Sequence, residues 1–304
     1  MRRRTRVLLV MLIVLVLPPA VFAYFSWQYP VNASALTVAV YNKLPAGVRT
    51  HPAMWRLVSA YLIDRVEEKT PYDVQRFLRR KQRPDYVVVA LGDSTTQGSQ
   101  VAPNKRWTFL LQKSMKSRLR RSVKVINAGI AGEIAAQGAR RLERDVLALQ
   151  PDLAIVGYLV NDGRVFGVDL DGRGQTLVDF DDYQAAMVDL LSRLRARGIP
   201  VMLFTCQPIQ PAFFGLERMH WATVQDVVFT SRLTALKQRA GELGTPVVET
   251  YEAIVQQPEQ SALYGADNIH LNEVGHKLVS KLMFAAWVER LLPALTEPAE
   301  AEAN

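Results

Sequence analysis

From Pro84 onward, short apolar runs rich in β-branched residues alternate with stretches of helical periodicity. This alternation limits what the chain can fold into more than any other feature. The runs cover residues 87–91, 123–127, 153–158, 201–206 and 246–249. An unbroken apolar run of that length suits a strand buried on both faces of a parallel sheet. Between them, residues 107–119, 135–149, 180–196 and 227–243 repeat apolar side chains at helical spacing, and residues 272–292 supply a closing helix. Strands separated by such helices imply right-handed crossovers and a parallel sheet of about five strands, covered on both faces.

The first run ends in Gly92-Asp93-Ser94-Thr95-Thr96-Gln97-Gly98. Gly92 lets the backbone turn sharply. The turn lifts Ser94 off the carboxyl end of the strand, where open α/β sheets place their ligands. A serine there can act as a nucleophile if a base is supplied from elsewhere. An ordinary turn in which Asp93 or Ser94 caps the next helix fits the same residues.

Four histidines leave few candidates for that base: His51, His220, His270 and His276. Asp267 stands three residues before His270, in a loop that opens the last helix. A carboxylate so close can take the imidazole Nδ1–H, fix the tautomer and leave Nε2 free for a proton. His276 lies six residues deeper and reads as packing or surface. Two further stretches follow strand ends, Asn127 to Gly132 and Gly157 to Gly163. Gly129 can aim a backbone N–H at a bound oxyanion, and the Asn161 amide can donate to the same atom. A plain strand–helix turn and an Asx turn are the structural alternatives.

These four pieces, in this order, resemble the SGNH (GDSL-type) hydrolase family. The residues that carry the resemblance are Gly92-Asp93-Ser94, Gly129, Asn161-Asp162, and Asp267 with His270. The surrounding residues are similar to its lysophospholipase/acyl-esterase branch. The resemblance covers about residues 85–290. It implies a flavodoxin-like three-layer α/β/α fold and hydrolysis of acyl or acetyl esters through an acyl-serine intermediate. It also implies Ser94 as nucleophile, His270 as base, Asp267 as its orienter, and Ser94, Gly129 and Asn161 as oxyanion donors. No metal or organic cofactor is implied; the substrate expected is a small-molecule, lipid or glycan ester. Transfer of the acyl group to a sugar hydroxyl, by an O-acetyltransferase, and a dead, tethered binding module are the alternatives. One departure stands out: the family usually has glycine two before the asparagine, and Leu159 occupies that position.

The rest of the chain bears on location. Four arginines, Arg2, Arg3, Arg4 and Arg6, precede the uncharged apolar residues 7–25. They orient that stretch with its N-terminus in the cytoplasm and the remainder exported. It is long enough for a membrane-anchoring apolar helix, with Tyr24, Trp27 and Tyr29 at the interface. Pro18-Pro19 and the small Ala23 fit a cleavable signal peptide as well. The single cysteine, Cys206, lies in an apolar run and reads as a buried thiol, so neither a disulfide framework nor a cysteine metal cluster is available.

The net charge of +8 is unevenly placed: residues 51–124 carry sixteen Lys/Arg against six Asp/Glu. No phosphate loop, zinc finger or RNP-like strand accompanies this excess, so nucleic acid is not the expected partner. Anionic lipid, cell-wall polymer or plain solvent remain. Residues 1–30 are thus expected as anchor or signal, 31–84 as a helical linker or accessory segment, 85–293 as the hydrolase domain, and 294–304 as a disordered tail. Within residues 31–84, helices are expected over 50–68 and after Pro71.

Overall fold

Five parallel strands form the sheet that carries everything else in this computed structural model, which describes residues 70–168, 172–215 and 219–296. The strands are β1 (Tyr86–Gly92), β2 (Val123–Gly129), β3 (Leu153–Gly157), β6 (Val201–Phe204) and β7 (Val247–Val248). Their spatial order is β2-β1-β3-β6-β7. This is a doubly wound arrangement whose winding reverses between β1 and β3, and ligands bind outside the carboxyl ends of the strands at such a switch point. In-register pairing of Gly92 with both Gly129 and Gly157 brings three strand ends level at that rim.

The strands form where expected because every residue of β1 and β3 is buried, which the unbroken apolar runs require. Helices cover the sheet. α3 (Trp107–Leu119) packs against α9 (Glu273–Arg290), and α4 (Ala135–Asp145) against α6 (Phe180–Ala196), which also meets α7 (Trp221–Glu242). Trp107, Leu111, Met115, Val279, Met283 and Trp287 supply the buried stripe of the α3–α9 pair. Asn272 caps α9 by accepting from the N–H groups of Val274 and Gly275.

Three differences from the expected elements matter. The helix expected over residues 135–149 stops at Asp145, and residues 147–149 form a separate 3₁₀ turn before Gln150 takes φ 49° and reverses the chain into β3. α7 begins at Trp221, six residues earlier than expected. A small antiparallel hairpin, β4 (Val165–Val168) with β5 (Gly174–Thr176), follows the third strand end. Its two strands are too short to leave an alternating pattern in sequence. The helix after Pro71, α1 (Tyr72–Leu78), buries Val74 in the common core against β2. That segment therefore belongs to the packed domain.

Cys206 is buried, as expected. Residues 292–296 are helical, although the tail was expected to be disordered from residue 294. No helix among the described residues is long and apolar enough to cross a membrane. The apolar stretch 7–25 and the helix expected over 50–68 lie outside the described residues.

Candidate active site

β1 delivers Ser94 directly from its last residue, Gly92, through Asp93. Asp93 caps α2 (Ser94–Gln97), accepting from Thr95 N–H at 2.8 Å. Ser94 is the first residue of this short helix, so its N–H has no intrahelical partner. A Cβ on Gly92 would lie 2.5 Å from the Gly157 carbonyl oxygen and 2.3 Å from Thr96 Oγ1, so only glycine fits between β3 and α2. Asn127, at the end of β2, ties α2 down by donating from Nδ2 to Thr96 O at 2.7 Å.

Gly129 does not offer the donor assigned to it. Its N–H donates to Asn127 Oδ1 at 3.0 Å. A Cβ there would fall 2.2 Å from the Gln97 nitrogen. The glycine is thus required for close packing under α2, and the expectation of a free oxyanion donor at this position is corrected. Three residues on, Gly132 holds φ 83°, a left-handed conformation that favours glycine, and a Cβ there would meet nothing within 4 Å. Its N–H is without a hydrogen-bond partner among the described residues. The Asn-Ala-Gly-Ile-Ala-Gly stretch contained both glycines. Sequence could not say which one packs and which one faces open space.

Asn161 lies buried in α5 (Val160–Gly163), just beyond β3. One hydrogen of its Nδ2 goes to Glu133 O at 3.0 Å, and the group makes only a long 3.4 Å contact with Asp93 Oδ2. Leu159, the departure from the family pattern, takes φ −167°, outside the left-handed region that favours glycine, and buries its side chain in the core. The glycine that the packing demands is Gly157, where a Cβ would lie 2.0 Å from the Phe204 ring.

A buried ionic network, invisible in sequence, holds the loop between β2 and α4. Arg141 pairs with Glu133, bonds Asp145 at 3.1 Å, and donates to Ala128 O at 2.7 Å. Tyr158 Oη donates to Glu133 Oε2 at 2.6 Å. Removing one member of such a set would leave a buried charge unpaired, which costs several kcal/mol, roughly 3–5. The Arg141–Asp145 spacing of four residues on a helix was its only sequence signal.

Asp267 and His270 meet as the spacing suggested. His270 Nδ1 lies 2.6 Å from Asp267 Oδ2, and Asp267 Oδ1 accepts from the N–H groups of His270 (3.0 Å) and Ile269 (3.2 Å). Burial raises the Asp267 carboxyl, but these bonds and the His270 charge outweigh it, so its pKa falls below the ordinary value. A third group joins them: Gln100 Nε2 donates to Asp267 Oδ2 at 2.5 Å. Gln100 sits in left-handed backbone, φ 67°, six residues after Ser94, and ties the loop following α2 to the Asp267–His270 loop. The Asp93 carboxylate also feels the His270 charge.

From the other side, the segment after β6 braces the histidine loop. Gln207 Nε2 donates to Ile269 O at 3.0 Å, and Gln210 N–H to Asn268 O at 3.0 Å. Cys206, at φ 57°, makes the turn that sends Gln207 there. A non-glycine residue held in this region costs about 1–3 kcal/mol. Beyond it, Phe213, Phe214 and Trp221 stack edge to face, with centroids 5.3 and 6.5 Å apart.

Two carboxyls under the rim are held toward their neutral forms. Burial pushes Asp93 to about 6, against the Thr95 hydrogen bonds. Burial pushes Asp162 to about 7; the Ala135 N–H opposes this, and the charge of Asp93 adds to it. His276 is buried, its Nδ1 accepting from Trp107 N–H at 3.3 Å, and burial lowers it to about 4. It is a packing residue. Among the described residues, no group of His, Cys, Asp and Glu is arranged to hold a metal ion.

The model of the GDSL-like lipase/acylhydrolase family matches residues 90–278. The solved lipase/acylhydrolase of Enterococcus faecalis superposes with a TM-score of 0.52 at 22% identity, covering 67% of this chain and 96% of that one. A catalytic mutant of an acetylxylan esterase from Geobacillus stearothermophilus gives 0.52 at 18%, covering 68% and 96%. At these identities the likeness is one of fold. An uncharacterized lipoprotein of Bacillus subtilis, YqeF, is 28% identical over 127 residues, which are 40% of this chain and 49% of that protein. The chain thus spans about half the length of that relative. The matches specify the family and no branch within it.

Proposed function

This chain belongs to the GDSL-like lipase/acylhydrolase family, and from that premise we propose that it is an exported serine esterase acting through an acyl-Ser94 intermediate. The observation that supports this reading best is the 2.6 Å contact of His270 Nδ1 with an Asp267 carboxylate already fixed by two backbone N–H groups and Gln100. Nδ1 is thereby committed, and Nε2 is left as the proton acceptor.

Ser94 Oγ attacks the ester carbonyl carbon while His270 Nε2 takes its proton. The carbonyl oxygen becomes an oxyanion. Its donors are the N–H of Ser94, the N–H of Gly132 and the hydrogen of Asn161 Nδ2 that otherwise makes the long 3.4 Å bond to Asp93 Oδ2. The tetrahedral intermediate collapses, the bond to the alcohol oxygen breaks, and His270 returns the proton to that oxygen. Water then attacks the acyl-serine with His270 again as base. Loss of one oxyanion donor should cost on the order of 10²–10³ in rate.

The substrate we propose is a short acyl ester on a sugar, with Phe213, Phe214 and Trp221 as the face that receives the ring. The acetylxylan esterase of Geobacillus stearothermophilus, similar in fold, supports this choice. Residues 7–25 behind their arginines, together with the lipoprotein relative, support export. The test is hydrolysis of p-nitrophenyl acetate and of acetylated xylo-oligosaccharide by the parent and by Ser94→Ala. The variant should be inactive on both. A Ser94→Ala protein that turns over at the parent rate overturns the assignment.

A further inference from the structure

A cavity of about 300 Å³ opens between α1, α3 and the beginning of β2. Lys124, in its wall, is five residues back along β2 from Gly129, about 17 Å at strand spacing. The cavity therefore belongs to the amino-terminal end of the sheet, away from Ser94. Four cations line it: Arg76 and Arg80 from the first helix and its end, Lys116 from α3, and Lys124 from β2. Against them stands one carboxylate, Asp73. Among the described residues none of the four cations forms an ion pair.

Gln112 also lines the cavity. Its Oε1 accepts from Val125 N–H at 3.0 Å, which leaves the NH₂ end as the group available to an occupant. Lys124 is half-buried, and burial together with the charges of Arg76 and Arg80 pushes its ammonium below the ordinary value, with Asp73 opposing.

The ordinary explanation for a lysine here is protection of an edge strand from pairing with another sheet. That role needs one cation. It is also already served by α1, which covers β2 and brings Arg76 and Arg80 toward Lys124. Like charges gathered in a concavity repel each other, and an anion relieves that repulsion. Forked guanidinium donors and ammonium groups match the oxygens of a tetrahedral oxyanion. This is also where part of the basic excess of residues 51–124 is spent.

We propose that this cavity is a phosphate-binding subsite, separate from the esterase site, that takes the phosphate of a monoester or of a phosphodiester headgroup. Such a subsite would hold the enzyme against a phosphate-bearing ligand while the opposite end of the sheet stays open to substrate.

The test uses the full chain. Inorganic phosphate and glycerol 1-phosphate are titrated by calorimetry at low and moderate salt. Vesicles of phosphatidylglycerol or of phosphatidylcholine are tested by flotation. The variants are Lys116→Gln, which is exposed and leaves the core untouched, the pair Arg76→Gln with Lys124→Gln, and Lys281→Gln on α9 as control. The expected result is saturable phosphate binding that weakens with salt. The double variant should lose about tenfold in affinity or more, Lys116→Gln less, and the control nothing, with unfolding temperatures unchanged.

Selective binding to phosphatidylglycerol vesicles that the double variant abolishes, without binding of soluble phosphate, assigns the subsite to a lipid headgroup. Absence of saturable binding to every probe overturns the proposal. So does binding that the cavity variants retain, or that the control loses equally. None of these readouts depends on ester hydrolysis, so failure here and failure of the esterase reading are distinguishable.

Discussion

Gln100 Nε2 donates to Asp267 Oδ2 at 2.5 Å across 167 residues of sequence, onto the same oxygen that meets His270 Nδ1. The bond orients the carboxylate from the side opposite the backbone N–H groups. If Asp267 orients the base, Gln100 positions Asp267. Gln100→Leu should lower kcat about two- to tenfold with little change in KM, the size of one net hydrogen bond. Gln100→Asn, too short to reach, should behave like the leucine variant. Gln100→Glu would set a second carboxylate against Asp267 and should shift the pH–rate profile, which a purely structural role would not do.

Asp267→Asn keeps the shape of the pair but removes the charge that stabilises an imidazolium at His270. The expected loss in kcat approaches 10⁴, the size seen when a triad acid is neutralised elsewhere. Far-UV circular dichroism should not change, because Asp267 is partly exposed and its loop is braced by Gln207 and Gln210. A kcat within threefold of the parent would remove Asp267 from the relay.

The two glycines after β2 should separate cleanly. Gly129→Ala places a methyl against the Gln97 backbone and should lower the unfolding temperature by several degrees, roughly 1–3 kcal/mol of overpacking. Gly132→Ala meets open space but strains a left-handed residue. It should lower kcat more than it lowers Tm. Thermal melts and kcat measured on both variants check this. The opposite pattern would return the oxyanion role to Gly129.

Stability should bend with pH in two directions. Asp93 and Asp162 have pKa values raised to about 6 and about 7, so the native state holds protons that the unfolded chain releases near 3.8. Their contribution is complete below pH 3.8 and is lost as pH rises through 6 to 7. His276 is lowered to about 4 from 6.5, so its contribution is present above 6.5 and is lost as pH falls toward 4. The two oppose each other between pH 4 and 6.5, and above 6.5 only the carboxyl loss remains. Asp162→Asn, which keeps an acceptor for Ala135 N–H, should flatten that upper limb and stabilise the protein at pH 8 by about 1 kcal/mol or more. Urea unfolding at pH 5.5 and pH 8 measures it.

Much of this was legible beforehand because it rests on local chemistry. The apolar runs are strands because strands buried on both faces must be apolar throughout. The three-residue spacing of Asp267 and His270 could be read as a pair because a short loop brings them together whatever the rest of the chain does. The Leu159 departure does not place a side chain in left-handed backbone, since φ there is −167°. What escaped were contacts between distant segments: Gln100 with Asp267, Glu133 with Arg141 and Tyr158, and Gln207 with Ile269. Glutamine and arginine on a surface and in a network are the same letters.

The sequence by itself determined the alternating strands and helices, the turn that sets Ser94 at the end of β1 and the pairing of Asp267 with His270, because hydrophobic period and short loops act over a few residues. Only the tertiary structure decided which glycine packs beneath α2 and which stands open. It alone revealed which glutamine holds the acid and where four cations converge. Those outcomes depend on distances between segments up to 167 residues apart, and such distances are set by how helices close over a sheet, not by any stretch of chain on its own.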